Sequence, residues 1–176
     1  MKSAAELAAY LVTEGLLPTI AGQAPLAPPP AGTTQLSQED RVAAGFPGFG
    51  MTVRYPAADG FVLGDMGHQT ATLRLNAANH ADALATLKAH LVNGMRDIQT
   101  GGAALVSASR AQEIFMIRVA EKRYARVTVI YSTSAGTEAP FDIAVTGMEA
   151  VGHRSGGAMG PAPGLRGPLA APQAAP

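Results

Sequence analysis

The sequence contains no cysteine and no tryptophan, and aromatic residues make up only 5% of its 176 positions. The lack of cysteine excludes a disulfide framework, thiolate metal sites and thiol catalysis. The 13 basic and 13 acidic side chains cancel, which argues against a strongly basic nucleic-acid binder and against a polyacidic chain. Hydrophobic residues reach 47%, but many are alanine, so the predicted core is built from small side chains.

A membrane-spanning helix is missing from the sequence, since no run approaches the roughly 18 consecutive apolar residues that such a helix needs. The first residues are superficially similar to a signal peptide, because Lys2 precedes an alanine-rich stretch. However, Glu6 and Glu14 interrupt what would be the apolar part of that signal. We therefore predict no membrane association, and a protein that assembles and acts in a cytoplasm.

Two segments have few of the signals of a folded core. Residues 24–50 are rich in proline and glycine and too long for an ordinary connection, so they are predicted to be an arm that reaches a neighbouring molecule or a disordered insertion. In residues 152–176, 17 of 25 are glycine, proline or alanine, which predicts a flexible tail. The folded parts are then an N-terminal helical segment, 1–23, and a core domain, 51–151.

Two helices are predicted from capping signals and apolar spacing. Ser3 begins the first with a capping box, and Gly15 followed by Pro18 is expected to end it. Asn79 caps a second, longer helix, and residues 100–102 are expected to break it. The buried stripe of this second helix is predicted to consist of Leu84, Leu87, Leu91 and Met95.

Alternation of polar and apolar residues predicts the strands of the core domain. The predicted strands are 51–55, 70–75, 104–109, 113–119 and 124–133. Phe141, Ile143 and Val145 predict a further strand, placed at the edge of the sheet. The predicted fold class is α+β, a small, mainly antiparallel sheet with two helices packed on one face.

Motifs for catalysis or cofactor binding are scarce, and we predict no catalytic, cofactor-binding or metal site. The sequence has no phosphate-binding loop and no nucleophile elbow. His80 and His90 lie ten residues apart on one helix, which separates them by about 15 Å along its axis, so they cannot share a metal ion. All four histidines are interpreted as surface residues. An enzyme would have to draw its acid–base groups from Asp65, His68 and Glu113.

A cluster of cations surrounds the turn of the last predicted hairpin. The candidate interface residues are Arg118, Lys122, Arg123, Tyr124 and Arg126. Arginine beside an aromatic ring can contact nucleic acid. The same residues can form a charged tip that keeps strand edges from pairing, or a contact with a neighbouring subunit.

Charge is unevenly distributed along the chain although the total is zero. Residues 1–68 carry a net charge of −3, residues 69–133 carry +4 and residues 134–176 carry −1. This asymmetry suits subunits that associate through opposite charges, and it also suits ordinary solvated surfaces.

The order of these elements resembles the minor capsid and tail-terminator proteins of long-tailed bacteriophages and related gene-transfer particles. The resemblance is carried by a short N-terminal helix, a strand ending in Tyr55-Pro56, the alternating strand 69–75, the Ala- and Leu-rich helix from Asn79 and the charged-turn strand 121–131. Lys122 stands where the family's hairpin usually has glycine. The segments 24–50 and 152–176 lie outside the resemblance.

The resemblance implies a small α+β structural protein of the virion that forms a hexameric ring at the head–tail junction. Such a ring caps the tail tube and docks it to the neck, so its partners would be a neck protein, a tail tube protein and, non-specifically, the DNA that passes through. It implies no enzymatic activity and no cofactor. The alternative that the residues leave open is a small protein- or ligand-binding module, in which 24–50 acts as a lid or as a proline-rich docking peptide.

Overall fold

An eight-stranded antiparallel sheet is the centre of the structure. The computed structural model describes residues 1–24, 30–46, 51–67, 69–76, 79–94, 97–134 and 139–150. The helical segments are α1 (Ala4–Tyr10), a π-helical turn (Leu11–Leu16), α2 (Leu17–Ile20), α3 (Gln38–Ala43) and α4 (His80–Gly94). The strands are β1 (Thr34–Gln35), β2 (Thr52–Ala57), β3 (Gly60–Met66), β4 (Thr70–Leu75), β5 (Ile98–Ser107), β6 (Arg110–Ala120), β7 (Arg123–Ser132) and β8 (Phe141–Glu149).

The strands follow the order β1-β2-β3-β4-β8-β7-β6-β5 across the sheet. After β4 the chain crosses by way of α4 to the opposite edge and returns through β5, β6 and β7. β8 then pairs with β4 on one side and with β7 on the other. The prediction that Phe141, Ile143 and Val145 form an edge strand is therefore wrong. These side chains are only 1% exposed, because β8 lies in the middle of the sheet.

The core lies between one face of the sheet and a layer formed by α1, α2 and α4. We call this side of the sheet the helix face and the opposite side the far face. Alternate residues of the central strands point into the core, among them Leu73, Val127 and Ile143. The predicted α+β fold, with a mainly antiparallel sheet and the two predicted helices on one face, is confirmed.

The long helix α4 follows its sequence signals closely. Asn79 Oδ1 accepts hydrogen bonds from two backbone N–H groups of the first turn, at 3.1 and 3.2 Å, which confirms the predicted cap. Leu84, Leu87 and Leu91 are buried, as predicted. Met95, the last residue of the predicted stripe, lies outside the described residues.

The N-terminal helix begins as predicted, since Ser3 forms a capping box. The predicted end at Gly15 is wrong, because the helix continues through α2. Pro18 has no N–H to donate, and its ring would meet the carbonyl of the preceding turn in a regular α-helix. The wider π-helical turn before it, closed by the bond from Leu17 N–H to Val12 O, lets the chain pass this proline without a break.

Two features of the strands were not anticipated. β3 was not predicted, although it forms a hairpin with β2 in which Ala57 lies opposite Gly60. The break expected at 100–102 lies inside β5, which begins at Ile98. The glycines there produce a shift of register between Thr100 and Ala103 instead of ending the element.

Part of the interval predicted as an arm or insertion packs on the sheet of the same chain. β1 pairs with β2, and α3 lies on the far face. Arg74 shows on which face α3 lies. Its side chain alternates with the core residues of β4, so it points to the far face. There Nη1 donates a hydrogen bond to Ala44 O, the residue after α3, at 2.6 Å, and the guanidinium lies over the ring of Phe46. Residues 25–29 and 47–50 of this interval, and the predicted tail 152–176, lie outside the described residues.

Candidate functional site

The residues predicted as a candidate interface surround the turn between β6 and β7. Glu121 and Lys122 form this turn, and Lys122 has a φ angle of 60°. It is the one non-glycine residue with a positive φ in the described part of the chain. Glycine adopts this left-handed conformation most easily, so Lys122 stands at a position that favours glycine.

The other four candidate residues are divided between the two faces of the sheet. Arg118, Tyr124 and Arg126 lie on the far face, and Arg118 stands directly opposite Tyr124 on the paired strands. Arg123 lies on the helix face beside the end of α2, where a Cβ atom added to Gly22 would be 2.6 Å from its Nη1 atom. The predicted cluster is therefore not a single patch.

An open groove of about 470 Å³ lies beside the start of β5. Its lining residues are Asp97, Ile98, Gln99, Met116, Arg118 and Tyr124. Two of the candidate residues thus share a concave surface. Arg118 pairs only loosely with Asp97, at 3.9 Å between Nη1 and Oδ2, and both side chains are exposed, so solvent screens this ion pair.

A second groove, of about 300 Å³, lies on the helix face between α4 and the strands β5 and β6. Leu91, Val92 and Phe115 form apolar parts of its lining. Lys88 and Glu113 form an ion pair beside them, with 2.7 Å between Nζ and Oε2. β5 is consequently bordered by a concave surface on each face.

β5 is an edge strand whose side chains are largely exposed on both faces. Leu105 and Val106 are 76% and 54% exposed, and residues 98–109 contain no charged side chain. Exposed edges are usually protected by charge, proline, cover or irregular geometry. Within the part of the chain that the structure describes, β5 has only the register shifts within it. This surface was not among the sites predicted from the sequence. The uncharged run is visible in the sequence, but the position of the strand at an edge is not.

The acid–base groups considered for an enzyme are not brought together. Asp65 lies on the far face, opposite Thr72, whereas Glu113 lies on the helix face, and His68 lies outside the described residues. Glu113 instead accepts a hydrogen bond from the Tyr131 hydroxyl at 3.4 Å. Burial raises the pKa of Tyr131, and the negative charge of Glu113 raises it further.

His80 is buried, so its interpretation as a surface residue is wrong. It begins α4 under β7, and its Nδ1 accepts a hydrogen bond from Ser132 N–H at 2.7 Å. Its ring meets Phe141 edge to face, with 5.6 Å between centroids. Nε2 has no hydrogen bond of good geometry to the described residues. Burial lowers the pKa of His80, an effect that the nearby Ala139 backbone partly opposes.

His80 makes the stability of the fold depend on pH. Because its pKa is lower in the folded chain than the usual 6.5, the unfolded chain binds more protons below that pH, and the free energy of unfolding falls with falling pH. In the variant His80→Asn, the amide oxygen can still accept from Ser132 N–H, but it does not titrate. Between about pH 7.5 and pH 5, the free energy of unfolding measured with denaturant should therefore fall less for the variant than for the unaltered protein. Parallel profiles would contradict this assignment.

No group of three or more histidine, aspartate or glutamate side chains within the described ranges is arranged to hold a metal ion. No helix among these residues is both long enough and apolar enough to cross a membrane.

Comparison of the chain with family models, with curated proteins and with solved structures gives no match. The function must therefore be argued from the surfaces of this chain.

Proposed function

We propose that this protein is a structural subunit that assembles into a ring, in the manner of the tail terminators that its sequence resembles. The observation that carries the proposal is β5, a ten-residue edge strand that is exposed, uncharged and bordered by grooves. Its outer row of backbone N–H and C=O groups faces no other strand of the described sheet. Such an edge favours pairing with another chain.

The exposed apolar side chains of β5 support the same proposal. Leu105 and Val106 are adjacent at a register shift of β5, and both are more than half exposed. A neighbouring subunit that covers β5 would remove both from water, in addition to pairing the backbone. The contact would thus combine hydrogen bonds with the burial of apolar surface.

A ring of this kind would act at the head–tail junction of a virion, assembled in the host cytoplasm. It would be bounded by a neck or connector protein on one side and the tail tube on the other. The basic residues around the β6–β7 turn, Arg118, Lys122, Arg123 and Arg126, are exposed and would be available to these partners or to DNA passing through the ring. In this function the protein contributes binding surfaces, has no enzymatic activity and needs no cofactor.

A second candidate function is a small protein- or ligand-binding module. The groove beside Arg118 and Tyr124 favours it, since it offers charged, aromatic and thioether groups to one ligand. A binding module of this kind would be a monomer or a dimer and would not form rings. The two functions are therefore separated by the mass of the protein in solution.

The unaltered protein is expected to form particles of six times the 17.9 kDa of one chain, with an open centre in negative-stain images. Light scattering over a range of protein and salt concentrations measures this mass. The double variant Leu105→Lys/Val106→Lys should shift the mass to that of single chains, because two charges on β5 oppose strand addition. Ala85→Lys, which adds a charge to the exposed side of α4, should leave the mass unchanged. A monomer under all conditions would contradict the proposal.

A further inference from the structure

We infer that β5 of one subunit pairs with β1 of the next, so that the sheet continues from subunit to subunit around the ring. This inference rests on the proposed ring and names the two surfaces that build it. β1 and β5 are the two edges of the same sheet. A contact between different edges is heterologous, the type that repeats head to tail and closes into a ring. Pairing of β5 with itself would be two-fold and would produce only a pair of subunits.

The directions of the strands agree with this joint. Every neighbouring pair in the sheet is antiparallel, and the sheet has eight strands, so its two edge strands run in opposite directions. In a ring whose axis is roughly parallel to the strands, rotation from one subunit to the next leaves the direction of each strand unchanged. β5 would then meet β1 of the next subunit in antiparallel orientation, like all the other pairs within the chain.

The register of the sheet places one residue of each edge at the same level. Gln35 on β1 and Ala103 on β5 are the two ends of one row of directly paired residues. The row runs through Val53, Gly64, Leu73, Ile143, Val129 and Glu113. A subunit that joins without a shift along the strands would therefore bring Gln35 opposite Ala103, with both side chains on the helix face.

Both edges are uncharged, whereas the surfaces next to them carry opposite charges. Residues 30–38 and 98–109 contain no charged side chain, so neither strand opposes addition of the other. On the far face, α3 follows β1 and exposes Glu39 and Asp40 in its first turn. Arg118 and Arg126 are exposed on the far face near β5. Joining β5 to β1 with the faces aligned brings these carboxylates and guanidinium groups to the same side of the joint.

The absence of cysteine makes the joint testable by crosslinking, since the introduced thiols are then the only ones in the chain. The double variant Gln35→Cys/Ala103→Cys, treated with a short bismaleimide, should give a ladder of covalent species up to six chains on a denaturing gel. A link within one chain cannot form, because seven strand spacings separate the edges by about 34 Å. The single variants should give no ladder.

The outcomes separate the inference from the proposed ring. The variant Ala85→Cys/Ala103→Cys, which places one thiol on the exposed side of α4, serves as the matched control and should not crosslink into a ladder. Rings of unchanged mass without a ladder from the Gln35/Ala103 pair would overturn the β5–β1 joint and leave the ring standing. Covalent dimers from Ala103→Cys alone would show β5 pairing with itself and would also overturn it. Monomers by light scattering would overturn both.

Discussion

Replacing Leu87 with aspartate is expected to abolish the folded state. Leu87 is 1% exposed and lies on the side of α4 that packs in the core. The substitution removes a buried leucine, which alone costs about 2–5 kcal/mol, and adds a carboxylate with no partner in the core. This loss is comparable to the roughly 5–15 kcal/mol that stabilises a typical domain. Circular dichroism should show no cooperative thermal transition.

A matched control is available on the same helix. Val92 is 68% exposed, so Val92→Asp introduces the same side chain without burying it. Its effect on the free energy of unfolding should be about 0.5 kcal/mol, measured at a protein concentration low enough to keep the chains separate. If Leu87→Asp unfolded at the same temperature as Val92→Asp, the packing assigned to α4 would be wrong.

The second large effect is expected from Asp142 on β8, which pairs with Arg74 on the neighbouring strand β4 and with Arg110 on β6, two strands away. Its Oδ1 is 2.6 Å from Arg74 Nε, and its Oδ2 is 3.3 Å from Arg110 Nη2. Its side chain is only 15% exposed. Removal of the carboxylate in Asp142→Ala leaves both guanidinium groups without this counter-charge, and we expect a loss of about 3 kcal/mol in the free energy of unfolding. Urea titration measures this loss.

The control for this prediction is an ion pair of the same residue types at the surface. Asp97 and Arg118 are 65% and 50% exposed, and their closest charged atoms are 3.9 Å apart. Asp97→Ala should therefore cost no more than about 0.5 kcal/mol. Equal effects of the two substitutions would mean that burial does not strengthen the Asp142 pairs.

Arg74 gives the Asp142 network a role beyond its own strands. The same guanidinium that pairs with Asp142 donates to Ala44 O after α3 and lies over the ring of Phe46. Loss of Asp142 should thus also loosen the attachment of α3, the helix that carries the acidic residues of the inferred joint. These contacts connect β4, β6 and β8 with a segment that composition alone described as an arm or insertion.

The helices illustrate what local pattern predicts well. The cap at Asn79 and the leucine stripe of α4 depend on residues within a few positions of each other, and both are confirmed. The predicted end of the first helix was wrong, because the prediction relied on Pro18, which is a strong local stop signal. A π-helical turn overrides it, and the continuation that follows buries Leu17 and Ile20 against the sheet side of the molecule.

The candidate interface shows where nearness in sequence misleads. Arg123 and Arg126 were grouped because they lie three residues apart, but an odd separation along a strand puts them on opposite faces. The groove beside Arg118 could not be foreseen, since Asp97 and the start of β5 reach it from a part of the chain about twenty residues earlier.

The sequence by itself determined the fold class, the capped helix α4 and the alternation of β6 and β7, because periodicity and capping act over short distances. Only the tertiary structure decided that β8 lies between β4 and β7, that His80 is buried beneath Ser132 and that β5 is left at the edge. Backbone N–H and C=O groups are the same in every strand, so local sequence does not specify a strand's neighbour. The neighbour is selected by the packing of all side chains on the helix face together, and that selection leaves β5 at an edge of the described sheet.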